Sequence, residues 1–167
     1  MDYPISKTEY DHIRTLLYDE SGISLGDNKQ SLVVSRLSKR LRDLSLDSFE
    51  AYYEFVTGDT SGAEFTRMLD LLSTNKTDFF REPKHFEFLT NTVVPALAHQ
   101  PGIRVWSGAC STGEEPYTLA ITVAESLQAC PGVEWQILAT DISRRMLAAA
   151  EQGIYPMESV KPVPPDL

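Results

Sequence analysis

Residues Ile103-Arg104-Val105-Trp106-Ser107-Gly108-Ala109-Cys110-Ser111-Thr112-Gly113-Glu114-Glu115-Pro116 decide how this chain folds. Ile103 to Ser107 is a short β-branched and aromatic run, and it breaks into a glycine-containing loop. A helical pattern follows from about Glu114 to Leu127, then a second strand-like run from about Trp135 to Thr140, then another helix after Asp141. Strand, helix, strand, helix in this order is the opening of a parallel α/β sheet. In a doubly wound sheet, the loop after the first strand lies in the crevice where ligands meet backbone N–H groups and a helix N-terminus. Residues 107–116 are therefore a candidate ligand loop.

The glycines of that loop are not spaced G-x-G-x-x-G, and Glu114 and Glu115 stand where a pyrophosphate would need neutral or positive surroundings. Two carboxylates suit a ligand carrying an ammonium group, such as the methionine part of S-adenosylmethionine. They equally suit the first turn of a helix, whose dipole favours negative charge there. Asp141, ending the second strand beside the first, can accept hydrogen bonds from two ribose hydroxyls. It can also simply cap the next helix, unless Ser143 takes that task.

The first hundred residues read differently. Ser6 with Glu9, Asp47 with Glu50 and Ser61 with Glu64 fit the capping box at helix starts. Apolar residues follow at helical spacing: Tyr10, Ile13 and Leu17; Phe49, Tyr52 and Val56; Phe65, Met68, Leu69 and Leu72. Another helix, from about Lys29 to Leu44, turns Val33, Leu37, Leu41 and Leu44 inward. The spacing predicts a small helical bundle over 1–72. A longer helix is expected from Pro83 through Phe86, Leu89 and Val93 toward Leu97, with Pro95 kinking or ending it. Residues 73–100 read as a linker and connecting helix, and 101–167 as the beginning of the α/β domain. A parallel sheet of two strands leaves both edges open, so the alternation is expected to continue past residue 167. The proline-rich tail Lys161 to Leu167 reads as extended.

A formal net charge of −9 opposes loose binding to nucleic acid or to an anionic membrane, both of the same sign. An acidic partner would need a local basic patch. Met1 is followed by Asp2, Tyr3 and Pro4 rather than by a basic and then apolar run, so neither signal peptide nor membrane span is expected. Cys110 and Cys130 show neither metal-ligand spacing nor a disulfide framework, which points to free thiols and a cytoplasmic setting.

One more stretch, Ser73-Thr74-Asn75-Lys76-Thr77-Asp78-Phe79-Phe80-Arg81-Glu82-Pro83, sets polar groups against two aromatics between helices. Composition alone allows an ordinary connection. Its Thr74 to Glu82 portion, followed by Val105-Trp106-Ser107, Cys110-Ser111-Thr112-Gly113-Glu114-Glu115-Pro116-Tyr117 and Ala139-Thr140-Asp141-Ile142, resembles the chemotaxis receptor methyltransferases, the CheR family, in order and in interval. The resemblance extends over essentially the whole chain. It implies a small all-helical domain followed by the start of a Rossmann-like class I S-adenosylmethionine-dependent methyltransferase domain.

Carried onto matching positions, the resemblance implies that Asn75, Thr77 and Arg81 contact S-adenosylmethionine, with Gly113 in the loop. Glu115 would hold the methionine ammonium, with Glu114 the second choice, and Asp141 the ribose hydroxyls. S-adenosylhomocysteine would be the product, and no metal is called for. Two departures stand out. Family members often read Ser-Ala-Gly-Cys where this chain has Ser107-Gly108-Ala109-Cys110. The family's later strands, its adenine-side Asn motifs and its inserted receptor-docking β-subdomain have no counterpart here.

The implied reaction, methyl transfer to glutamate side chains on chemoreceptor cytoplasmic helices, needs no general base. A carboxylate is already anionic at neutral pH and the sulfonium methyl already activated. No His or Cys catalyst is expected: His12, His85 and His99 read as surface or packing residues, and Cys110 as a small loop residue. For the acidic substrate, Lys29, Arg36 and Arg40 fall within roughly 40° of one another on their helix, with Lys39 and Arg42 extending the positive surface. Such a run is either a solvated face or a substrate-binding one. A non-catalytic module that binds the methyl donor or docks to a signalling partner is the competing reading.

Overall fold

The computed structural model describes residues 3–130 and 132–165. The chain divides into two compact units, Met1–Thr74 and Asn75–Leu167, the second of which includes residues 75–100.

The first unit holds four helices: α1 (Lys7–Ser21), α2 (Gln30–Asp43), α3 (Phe49–Gly58) and α4 (Ala63–Leu72). Tyr10, Ile13, Leu17, Val33, Leu37, Leu41, Phe49, Tyr52, Val56, Met68, Leu69 and Leu72 form its core, with Leu44 and Phe65 partly buried against them. The apolar periodicity of the sequence thus points inward on every helix. The capping boxes fare less evenly. Ser6 and Glu9 make both reciprocal bonds. On α3, Ser48 rather than Asp47 accepts the Ala51 N–H. On α4, the cap position is Gly62, and Asp59 collects the Ser61 and Glu64 amides with the Ser61 hydroxyl.

Glu64 is freed for another purpose. Its buried carboxylate pairs with Arg40, whose Nε donates to Oε1 at 2.9 Å, and accepts from the Tyr52 hydroxyl at 3.0 Å. Burial, with the neighbouring carboxylate, pushes the Tyr52 hydroxyl far above the ordinary phenol range.

The second unit begins with a continuous helical stretch in three parts: α5 (Pro83–Phe88), a π-helical turn (Leu89–Val93) and α6 (Val94–Leu97). The last of these parts holds Pro95 and ends two residues after it, at Leu97. Proline offers no N–H and its ring crowds the preceding turn, and the wider π-helical turn lies directly upstream of it. One extra residue per turn advances the register, so Val94 is buried where the helical spacing had put Val93. Strand β1 (Gly102–Gly108) leads through α7 (Glu114–Ser126) to β2 (Glu134–Thr140) and α8 (Arg144–Gln152). β1 and β2 pair in parallel, in register from Gly102 opposite Glu134 to Gly108 opposite Thr140. Val94, Ile103, Val123 and Leu127 form the core of this unit. On the other face of the sheet, the register partners Trp106 and Leu138 are 71% and 61% exposed.

Candidate cofactor site

β1 and β2 end side by side at Gly108 and Thr140, and the Cys110 N–H donates to the Thr140 carbonyl at 2.9 Å, one step past the sheet. The chain then turns sharply through Ala109 (φ 60°), Ser111 (φ 50°) and Gly113 (φ 101°). Gly113 is required on two grounds. Its φ is left-handed, and a Cβ there would sit 2.5 Å from the Tyr155 hydroxyl and 3.0 Å from the Ala150 Cβ. α7 begins immediately afterwards with no side-chain cap.

Asp141 holds this loop from the end of β2. Its Oδ2 accepts the Ser111 N–H and its Oδ1 the Ser143 N–H, each at 2.8 Å. Ser143 takes the cap of α8, accepting the Met146 N–H at 3.3 Å. An ionised carboxylate offers about four acceptor positions, so Asp141 keeps room for two further donors. Glu115 is exposed, with Oε1 accepting the Ser107 hydroxyl at 2.6 Å; Glu114 is buried and takes the Thr112 hydroxyl at 2.6 Å. Of the two glutamates, Glu115 is the one open to a solvent-borne cation.

The segment 74–82 joins the loop through groups that sequence reading had not singled out. The Ser111 hydroxyl donates to the Asn75 carbonyl at 3.1 Å, and the Phe80 N–H donates to the Thr118 hydroxyl oxygen at 3.1 Å. Arg81 folds back to donate to the Lys76 carbonyl at 2.8 Å, and Thr77 lies half-buried in the same segment. Asn75, Thr77 and Arg81 are thus on a segment tied to the loop that Asp141 organises. Among the described residues, five non-glycines have left-handed φ, and four of them, Phe80, Glu82, Ala109 and Ser111, lie on these two stretches. Backbone strain of this kind, about 1–2 kcal/mol per residue, persists where surrounding bonds over-determine it and gathers at binding sites.

Ser107, Ser111, Thr118 and Tyr155 are the residues that sequence reasoning missed. Ser111 stood inside the quoted loop, and its hydroxyl was the available signal; Tyr155 had none. Burial, reinforced by the Asp141 and Glu115 charges, raises the Cys110 thiol, so it stays protonated in the loop. Among the described residues, no group of three or more His, Cys, Asp and Glu side chains is arranged to hold a metal ion.

Of the five basic residues at the N-cap and along α2, two already have partners within the helical unit. Arg36 donates to the carbonyls of Leu72 and Ser73 at 2.9 and 2.7 Å, closing the C-terminus of α4, and Arg40 is spent on Glu64. Both face their own bundle because the stripe they flank is the buried one. Lys29, Lys39 and Arg42 are exposed.

The description "CheR methyltransferase, all-alpha domain" matches residues 8–73, and "CheR methyltransferase, SAM binding domain" matches residues 75–167. A chemotaxis protein methyltransferase of Salmonella typhimurium is 40% identical over 161 residues, covering 96% of this chain and 54% of that protein. A probable chemotaxis protein methyltransferase of Rhizobium etli is 42% identical over 154 residues, 90% of this chain and 58% of the relative. Chemotaxis protein methyltransferase 2 of Pseudomonas aeruginosa is 40% identical over 167 residues, 99% of this chain and 58% of the relative. The chain therefore spans a little over half the length of these curated relatives. With an all-helical unit followed by a strand-loop-helix unit, each matched in turn along the chain, this protein belongs to the CheR methyltransferase family.

Proposed function

We propose that this chain carries the helical domain and the donor-binding half of a protein-glutamate O-methyltransferase that esterifies chemoreceptor cytoplasmic helices from S-adenosylmethionine. The observation that carries the reading is the Asp141 carboxylate, held by the Ser111 and Ser143 amides with about two of its acceptor positions left over, while the exposed Glu115 follows the same loop in the first turn of α7. That donor set fits the group: a carboxylate for vicinal hydroxyls, a second carboxylate for an ammonium, and no phosphate cradle between them.

S-adenosylmethionine, when bound, supplies an activated methyl group on a positively charged sulfur. The chain's own residues bind and orient it. Asp141 takes the ribose hydroxyls and Glu115 the ammonium, while Gly113 lets the loop approach closely. Asn75, Thr77 and Arg81 close the site from the 74–82 segment. The acceptor carboxylate needs no base, so catalysis rests on alignment and exclusion of water. Lys29, Lys39 and Arg42, the exposed cations of the α2 region, are the candidates for drawing in an acidic helix together with the half-buried Arg36, whereas the charge of Arg40 is balanced by Glu64.

The full-length protein is expected to transfer labelled methyl to receptor helices as an ester, released as volatile methanol by mild base. Absence of base-labile label on receptor in the presence of donor would overturn the reading.

A further inference from the structure

Tyr155 lies beyond α8, outside every motif that the functional reading uses, yet it touches three parts of the candidate site. Its hydroxyl donates to the Thr112 carbonyl at 2.7 Å, inside the loop. Its ring stands edge-on to Phe79, centroids 4.9 Å apart at 82°, and edge-on to Tyr117 at 5.8 Å and 79°. The same hydroxyl occupies the space that a Cβ on Gly113 would need.

The bond to Thr112 matters because of where that carbonyl sits. On the next residue, the Gly113 N–H donates to the Cys110 carbonyl at 3.0 Å. A peptide group bonded at both its C=O and its N–H cannot rotate without losing both, so Tyr155 pins the orientation of the Thr112–Gly113 peptide at the start of α7. Phe79, in turn, belongs to the segment that carries Asn75, Thr77 and Arg81. We infer that Tyr155 is a positioning residue for the methyl-donor site, locking the loop and the 74–82 segment into the binding geometry without touching the donor. Resting as it does on the site reading proposed above, the inference adds a residue to which that reading gives no role.

Burial and the nearby Glu114 charge push the Tyr155 hydroxyl up to about 12. It is thus a protonated donor across the working pH range.

The test is steady-state kinetics on the protein at its full natural length, comparing wild type with Tyr155→Phe, which deletes the hydroxyl and keeps the ring. Loss of one neutral hydrogen bond predicts a three- to tenfold rise in KM for S-adenosylmethionine, with KM for receptor unchanged. A purely structural role would lower Tm and leave donor KM where it was, and that result overturns the inference. Phe79→Leu, withdrawing the edge contact from the other side, is the second variant, expected to raise donor KM about two- to fivefold; it decides the matter should Tyr155→Phe not fold. Asp141→Ala separates the two claims. If it weakens donor binding while the Tyr155 and Phe79 variants do not, the inference alone falls; if none of the three does, the site reading falls with it.

Discussion

Asp141 shows how much a single side chain can be asked to do when two backbone amides converge on it. Asp141→Asn keeps the shape but turns one acceptor oxygen into an NH2 group facing a backbone donor, leaving either Ser111 or Ser143 unsatisfied. Its replacement is expected to weaken S-adenosylmethionine binding at least about tenfold in calorimetry, a charge-assisted acceptor contributing roughly 1.5–3 kcal/mol; unchanged affinity would remove Asp141 from the site. Ala109 makes the opposite case. It holds φ 60° at the position where the resemblance leads one to expect glycine, with Gly108 displaced one residue toward the strand. Relieving that strain, Ala109→Gly is expected to raise stability by about 0.5–1 kcal/mol in urea denaturation, less than the full left-handed penalty because glycine also frees the unfolded chain.

Along the helices, cap and register are where local rules met competition. The π-helical turn moves burial from Val93 to Val94. Val94→Ala is therefore expected to cost ~2 kcal/mol on chemical denaturation and Val93→Ala well under half of that. Equal costs would contradict the shifted register. At the start of α4, the Ser61 hydroxyl and the Glu64 and Ser61 amides hold the Asp59 carboxyl below its ordinary value of 3.8. A depressed folded value means that its contribution is complete above the unfolded value and is lost as pH falls through the folded one. Thermal midpoints should drop from pH 5 toward pH 3, less steeply in Asp59→Asn. Identical slopes in the two proteins would show that this cap is not titrating. The Ser61–Glu64 pair looked like a capping box from spacing alone, and failed as one because Glu64 is worth more as the buried partner of Arg40 and Tyr52 than as an exposed cap.

For the molecule as a whole, the open side of the second unit is the dominant physical fact. Trp106, Leu138 and Ile142 are exposed, and a groove of about 670 Å³ runs between α7, α8 and β2. Apolar faces beside unpaired strand edges associate. The 167-residue chain is expected to self-associate with rising concentration in sedimentation equilibrium, and Leu138→Lys, placed mid-face, to return it toward monomer. A wild-type chain that stays monomeric at high concentration would contradict this.

Helix positions, the parallel strand pair, the inward faces and the candidate loop were all readable from residue order, because periodicity, glycine placement and charge at a helix start are local properties. The position of Asp141 beside the loop was readable too, since parallel pairing in register follows from the strand-helix-strand pattern. Other facts depended on residues distant in sequence meeting in space. The Tyr155 bond to Thr112 and the Ser111 bond to Asn75 span 43 and 36 residues, and the Arg40–Glu64 pair spans 24. No local pattern announces such pairs, because a polar side chain's partner is chosen by which groups packing has cut off from water. That is why the loop of the candidate site could be placed from the chain, while the groups that hold that loop in shape became visible only once the chain was folded.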